Sequence, residues 1–323
     1  MSSDECRVFS YLLQDKMTTK DSPLIPFTKE DIEEFKKKRN APSKEKINDC
    51  IIELRKWLAQ QQHLPKIDED LLGKFLFGCK YDTEETKIRL GNYYACKARH
   101  SDLFSDTNLD SAEHRNQRKF VHLMTMPQFT KQGYRVHVGV IADPDPEMYS
   151  PKHIVQHSQA SIDLMLRDDV EICTPGIIVV LSGAHVTMKH IMKWEFGIIR
   201  AVAEMLTRSR PESIKGVHFI ECTNIIKPLF LALASLLNSK LKRRLSYNDP
   251  ELLYSQVPKE MLPDEFGGTA GPCEKYSELW ANYIDQNRDW LQSEAEKKAD
   301  LALMPKDNEF AVFQDTFRKL EVD

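Results

Sequence analysis

Few residues in this 323-residue chain are of a type and spacing to do covalent chemistry. Ser182, in Leu181-Ser182-Gly183-Ala184-His185, ends an apolar β-branched run, where α/β folds keep their sites, so a serine nucleophile is the first chemistry to weigh. No G-x-S-x-G turn surrounds it, and no motif places an acid or base beside it. His153 and His157 stand four apart on one helical pattern, which puts both imidazoles on one face. They do not form H-E-x-x-H, however, and no third metal ligand is in view. No G-x-x-x-x-G-K-[ST] loop is present, and no G-x-G-x-x-G follows a strand; Gly267, Gly268 and Gly271 read as a bend. The seven cysteines, Cys6, Cys50, Cys79, Cys96, Cys173, Cys222 and Cys273, contain no C-x-x-C pair and point to reduced thiols. No catalytic residue, metal or cofactor is assigned, and a hydrolase using Ser182 stands as the enzyme alternative.

Composition narrows the partners. With 41% hydrophobic and 29% charged residues the chain is ordinary for a globular protein, and a net charge of −4 argues against nucleic acid as a partner. Any cationic site must be local. The start, MSSDECRVFS, is acidic where a secretory signal needs a basic residue and an apolar run, and no segment has the length of a membrane span. The expectation is a cytoplasmic protein that meets membranes only transiently and from the aqueous side.

The elements that must position any site fall into two textures. After an arm over residues 1–27, helix patterns start at Thr28 and at Ser43, the second with Ile47, Ile51, Leu54 and Leu58 at helical spacing. Two more follow, from Asp68 to about Cys79 and from Asp82 through Leu90, Tyr93 and Tyr94. A polar connector, SDTNLDSAEHRNQRKF, then leads to strands at Tyr134 to Ala142, Ile177 to Leu181, Gly216 to Ile220 and Leu245 to Tyr247. Long helical patterns lie between and after them, over 151–171, 185–207 and 275–301. Strands alternating with helices predict an α/β layer with parallel pairing.

One helical stretch, IIKPLFLALASLLNSKLKRR over 225–244, is unusually apolar and ends in four cations among five residues. Leu229, Phe230, Leu233, Leu236, Leu237 and Leu241 make a wide stripe, and Leu231 points nearly opposite, so more than one side wants cover. It is far too short to cross a bilayer.

Three motifs taken together carry a resemblance: Leu76-Phe77-Gly78-Cys79-Lys80-Tyr81-Asp82; Thr86-Lys87-x-x-Leu90-x-x-Tyr93-Tyr94-x-x-Lys97-x-Arg99; and Leu262-Pro263-x-Glu265-x-Gly267-Gly268. In order and spacing they resemble the CRAL-TRIO family of lipid-transfer proteins, which includes retinaldehyde-binding and α-tocopherol transfer proteins, and the invertebrate-type members most. The likeness spans about residues 28 to 290. It implies a helical domain over 28–105, an α/β lipid-binding domain over 106–272 with a mixed-sheet floor and a gate helix above an apolar cavity, and a C-terminal helix and tail over 273–323. By position, the gate is the 225–244 helix. Where the family has D-x-x-G after the buried strand this chain has Ser182 to His185. Its N-x-P becomes Glu221-Cys222-Thr223, an aromatic becomes Arg210, and an arginine becomes Phe77.

Strand and helix faces give candidate residues for each part of such a site. Ile177, Val179 and Leu181 would form the floor, Trp194, Ile198, Val202 and Met205 a wall, and Phe230, Leu233 and Leu237 the gate. Ser158 and Ser161 would offer polar contacts to a hydroxyl or carbonyl. Lys240, Lys242, Arg243 and Arg244, with Lys215 on a loop and Lys80, would form a patch for phosphoinositide headgroups on an anionic membrane. The expected function is intracellular transfer of a retinoid, tocopherol, carotenoid or similar lipid, without catalysis. The alternative is a protein-protein scaffold of the same fold whose interior is filled by its own side chains.

Overall fold

The computed structural model describes residues 22–305, apart from 106–107, 144, 146 and 170. Most of the expected arm, with Cys6, lies outside the described residues.

The helical part is fixed by local capping. Thr28 and Asp31 close a capping box at the start of α1 (Lys29–Lys38), and the Ser43 side chain accepts the Lys46 N–H at the start of α2 (Lys44–Leu58). After α3 (Glu69–Gly78) the chain reverses through left-handed Lys80 and Tyr81, with φ of 57° and 66°, and Asp82 caps α4 (Thr83–Arg99) by accepting from Glu85 N at 3.0 Å. Replacing Asp82 by alanine is expected to lower stability by about 1 kcal/mol, read as a shift in the denaturant midpoint at constant slope. Leu54, Leu72, Phe75, Leu76, Leu90 and Tyr94 are sealed between these helices.

A short helix, α5 (Ser101–Phe104), precedes the polar connector, which contains a second, α6 (Ala112–Gln117), and is followed by a strand the periodicity does not announce, β1 (Val121–Phe129). Pro127 is the reason it hides. It sits where the β1 register shifts between Thr125 and Phe129, on an edge strand where a missing N–H is tolerated. The rest of the sheet is β2 (Tyr134–Ile141), β3 (Gly176–Ser182), β4 (Ile214–Ile220) and β5 (Leu245–Tyr247), in spatial order β1-β2-β3-β4-β5. Only the β1–β2 pair is antiparallel, so the sheet is mixed as expected. Lys215 lies within β4, not on a loop before it.

Helices cover the sheet, and three of the long helical patterns are divided. Alpha-helix α7 (Pro151–Asp168) is continuous. The 185–207 pattern becomes α8 (Met188–Met192) and α9 (Phe196–Glu204), the latter running into a π-helical turn over Met205–Ser209. The 225–244 pattern becomes a 3₁₀ turn, α10 (Lys227–Leu236) and α11 (Ser239–Lys242). It breaks because Asn238 caps a new helix, accepting Leu241 N at 2.9 Å, while Leu237 is extended. Beyond α12 (Pro250–Gln256), the 275–301 pattern divides at Asn287 into α13 (Cys273–Gln286) and α14 (Arg288–Glu296).

The chain end then returns to the helical part. Lys97 Nζ, fully buried, donates to Glu294 O at 2.6 Å, and Ala299 N donates to Tyr94 O. Where α4 meets α9, Cys96, His100 and Glu204 bring their donor atoms within 4.8 Å of one another, but the Glu204 carboxylate already holds Arg99 and His100.

Candidate functional site

Between the sheet and the helices lies a cavity of about 280 Å³. Its floor follows from strand register. Leu123, Gly139 and Leu181 are cross-strand partners on one face of β1, β2 and β3, and all three border the space. Gly139 lets the two leucines close over it: a Cβ there would stand 2.8 Å from Leu123 Cδ2 and 2.9 Å from Leu181 Cδ2, so both side chains would have to shift into the cavity. One wall comes from Ser158, Gln159 and Ile162 of α7, another from Val202 of α9 and Met205 after it. Trp194 enters between α8 and α9, its indole N–H donating to Tyr149 Oη at 2.8 Å. Ile226, Leu229 and Leu233 close the top.

The sequence-predicted residues divide by where this geometry puts them. Ser158, Val179, Leu181, Trp194, Val202, Met205 and Leu233 border the cavity. The other five do not. Ile177, 2% exposed, packs in the sheet core at the start of β3, between Arg135 and Ile214. Ser161 is turned back on its own helix, donating to His157 O at 3.0 Å. Ile198 faces the helical part across α9. Leu237 is buried where α10 ends. Phe230 is held outside the cavity between two rings, 5.3 Å from Phe219 and 5.0 Å from Tyr247.

The roof itself is thinly held. Of α10 only Leu236 is buried, although the helix is apolar almost throughout. Leu231 is 55% exposed, and neighbouring elements expose Met188, Met192 and Phe196. Together they give the roof side an apolar outer surface.

Sequence reasoning missed the polar end of the cavity. His137, Gln159 and Arg210 border it. Arg210 is satisfied by Glu212, at 3.1 and 3.2 Å, and lies 3.5 Å from Asp163, which also accepts from Gln159 Nε2 at 2.8 Å. The signal for Arg210 was its replacement of an aromatic beside Pro211, with Glu212 two residues on. Burial, reinforced by the Arg210 charge, pushes His137 down to about 4, so its ring is neutral.

Ser182 also borders the cavity, but its hydroxyl donates to Glu221 Oε2 at 3.0 Å and accepts from Ala184 N. Nearby His185 turns its Nδ1 to Ile141 O at 2.9 Å. Among the described residues no imidazole bonds to Ser182. His157 of the spaced pair is buried, with Nε2 3.3 Å from Leu123 O.

The cationic residues gather from separate elements. Lys215 is pushed down to about 8, first by burial and then by the positive charges of Arg39, Arg244, Lys240 and Lys80. Lys240 is lowered by burial and by Arg244, Lys80 and Arg89. Lys215 Nζ lies 5.0 Å from the centre of the Tyr134 ring. Arg39 and Arg89 were not foreseen; Arg39 also donates to Phe77 O, Gly78 O and Pro175 O, which ties α1 to this corner. Lys242, the last residue of α11, and Arg243, which follows it, are exposed and are not among the charges that act on Lys215 or Lys240.

Residues 119–268 match the model of the CRAL/TRIO domain, and residues 43–114 match the Pinta-like UBA domain. An alpha-tocopherol transfer protein-like protein of Mus musculus is 24% identical over 216 residues, covering 65% of this chain and 61% of that protein. Clavesin-2 of Rattus norvegicus is 23% identical over 209 residues, 64% of each chain. The matches thus span less than two thirds of these relatives' length. Among solved structures, the crystal structure of Sfh5 aligns with a TM-score of 0.47 at 10% identity, covering 77% of this chain and 99% of that one.

Proposed function

The chain belongs to the CRAL/TRIO family, and from that premise we propose that it is a carrier that takes a hydrophobic small molecule into its cavity and exchanges it at an anionic membrane. The observation that carries this reading is an apolar cavity beneath an apolar helix with a single buried residue. An interior that already filled its own space would need no such roof. Shielding about 300 Å² of hydrocarbon contributes on the order of 7 to 8 kcal/mol at roughly 25 cal/mol per Å². A bilayer holds the same surface about as well, so uptake and release are nearly balanced and the barrier is the motion of the roof.

Docking uses two features on the outside. Leu231, Met188, Met192 and Phe196 give apolar side chains to insert between lipids, and Lys80, Lys215, Lys240 and Arg244 give a cationic corner for a phosphoinositide headgroup. Lys215 supports this best, because a half-buried ammonium among four other cations, with the Tyr134 ring beside it, has much to gain from an anion. Among the described residues no helix is long and apolar enough to cross a membrane. On this reading the place of action is the cytoplasmic surface of a bilayer, visited and left again. Retinoids, tocopherols and carotenoids are the cargo classes the family suggests.

The test is uptake. Protein incubated with vesicles containing labelled retinol or tocopherol and re-isolated by gel filtration is expected to carry label in near-stoichiometric amount; no uptake would favour the scaffold. Ester turnover provides a second check. With a carboxylate and not an imidazole on Ser182, neither the wild type nor Ser182→Ala is expected to hydrolyse nitrophenyl esters above background. Wild-type turnover abolished by that substitution would revive the hydrolase.

A further inference from the structure

At the polar end of the cavity one ring nitrogen is left without a partner. His137 lies on β2, opposite Thr125 of β1 and Val179 of β3, on the floor face. It is 4% exposed and borders the cavity. Its Nδ1 stands 3.1 Å from Thr125 Oγ1, and its Nε2 is buried with no hydrogen-bond partner.

The tautomer follows from counting hydrogens. Among the described residues the Thr125 hydroxyl has one neighbour to donate to, His137 Nδ1. Its hydrogen therefore goes there, and the ring proton resides on Nε2. A buried N–H without an acceptor is costly, and native interiors keep one only for a reason. The other polar groups at this end are already engaged: Arg210 by Glu212 and Asp163, Gln159 by Asp163. Arg210, the cation bordering this end, is already engaged by Glu212 and Asp163, so a ligand carboxylate or phosphate would lose its water there without gaining a counter-ion of its own. Ser158, partly exposed and with no side-chain hydrogen bond among the described residues, borders the same cavity from α7.

We propose that the His137 Nε2–H anchors an uncharged oxygen, a hydroxyl or carbonyl, at the end of the ligand. The cavity thereby selects long-chain alcohols, aldehydes and ketones over both plain hydrocarbons and carboxylates. This rests on the carrier reading above and names the residue that sets its selectivity.

The experiment supplies radiolabelled hexadecanol, hexadecane and hexadecanoate separately from phosphatidylcholine vesicles and measures label retained after gel filtration. The wild type is expected to retain hexadecanol about tenfold over either of the others. His137→Leu brings the hexadecanol-to-hexadecane ratio to about one, and His137→Gln, which keeps a side-chain N–H, restores part of it. Thr125→Val removes the hydroxyl that sets the tautomer and lowers the preference several-fold, which keeps the test open if His137→Leu folds poorly. A ratio unchanged in both His137→Leu and Thr125→Val, or a preference for hexadecanoate, overturns the proposal. Equal retention of hexadecanol and hexadecane by the wild type removes the anchor and leaves the carrier standing; retention of none of the three removes both.

Discussion

Replacing Lys80, Lys215 and Lys240 together by glutamine is expected to weaken binding to phosphoinositide-containing vesicles about a hundredfold. Each cation near an anionic leaflet contributes about 1 kcal/mol, and three of them about 3 kcal/mol. The three come from the α3–α4 reversal, β4 and α11, and Lys215 feels the charge of the other two. Arg244 is left in place because it also donates to Ile214 O, so its loss would disturb β4. Lys242→Gln with Arg243→Gln, at the end of the same short helix but away from the cluster, is expected to cost less than tenfold. Equal losses in the two variants would show that overall charge, not this corner, does the docking. The pH dependence has a definite sign. Lys215, held down to about 8, is charged below that pH, so vesicle affinity falls as pH rises through 8, and this step disappears in Lys215→Gln.

Phe230→Ala is expected to speed transfer of bound lipid between vesicles about thirtyfold. The Phe230 ring is wedged between Phe219 of β4 and Tyr247 of β5, and Tyr247 Oη in turn donates to Thr223 O at 2.7 Å just before the roof begins. Two aromatic contacts at about 1 kcal/mol each make a latch of about 2 kcal/mol that opening must break. Because Phe230 does not border the cavity, the variant should change the rate of exchange much more than the amount of lipid held at equilibrium. A stopped-flow transfer assay with a fluorescent retinoid reads the rate; an unchanged rate with a lowered capacity would mean that the ring contacts cargo instead.

The parts of the fold legible in the sequence are those fixed locally. Thr28 with Asp31, Ser43 and Asp82 mark helix starts because a short polar side chain next to an apolar pattern has one favourable use there. The run Ile177 to Leu181 reads as a buried strand because β-branched residues crowd it. What stayed hidden depends on contacts distant in sequence. In Tyr134 to Ile141 the alternation assigns His137 to a polar face, but β2 is covered on both sides and the register with Thr125 and Val179 turns that position into the cavity floor. The roof read as one helix because leucines continue through its break, and only the Asn238 cap divides it. The basic run Lys240 to Arg244 suggested a continuous patch. The helix ends at Lys242 and its residues diverge in direction, so Lys240 and Arg244 join the corner and Lys242 and Arg243 leave it, while Lys80 and Lys215 arrive from elsewhere in the chain.

The most direct test of the central claim is to extract the purified, natively folded protein with organic solvent and identify by mass spectrometry what comes out. A carrier is expected to yield close to one molecule per chain of a neutral lipid bearing a hydroxyl or carbonyl, and to lose it to acceptor vesicles. Extracts that contain no lipid, from protein that also takes up none when offered it, would contradict the account.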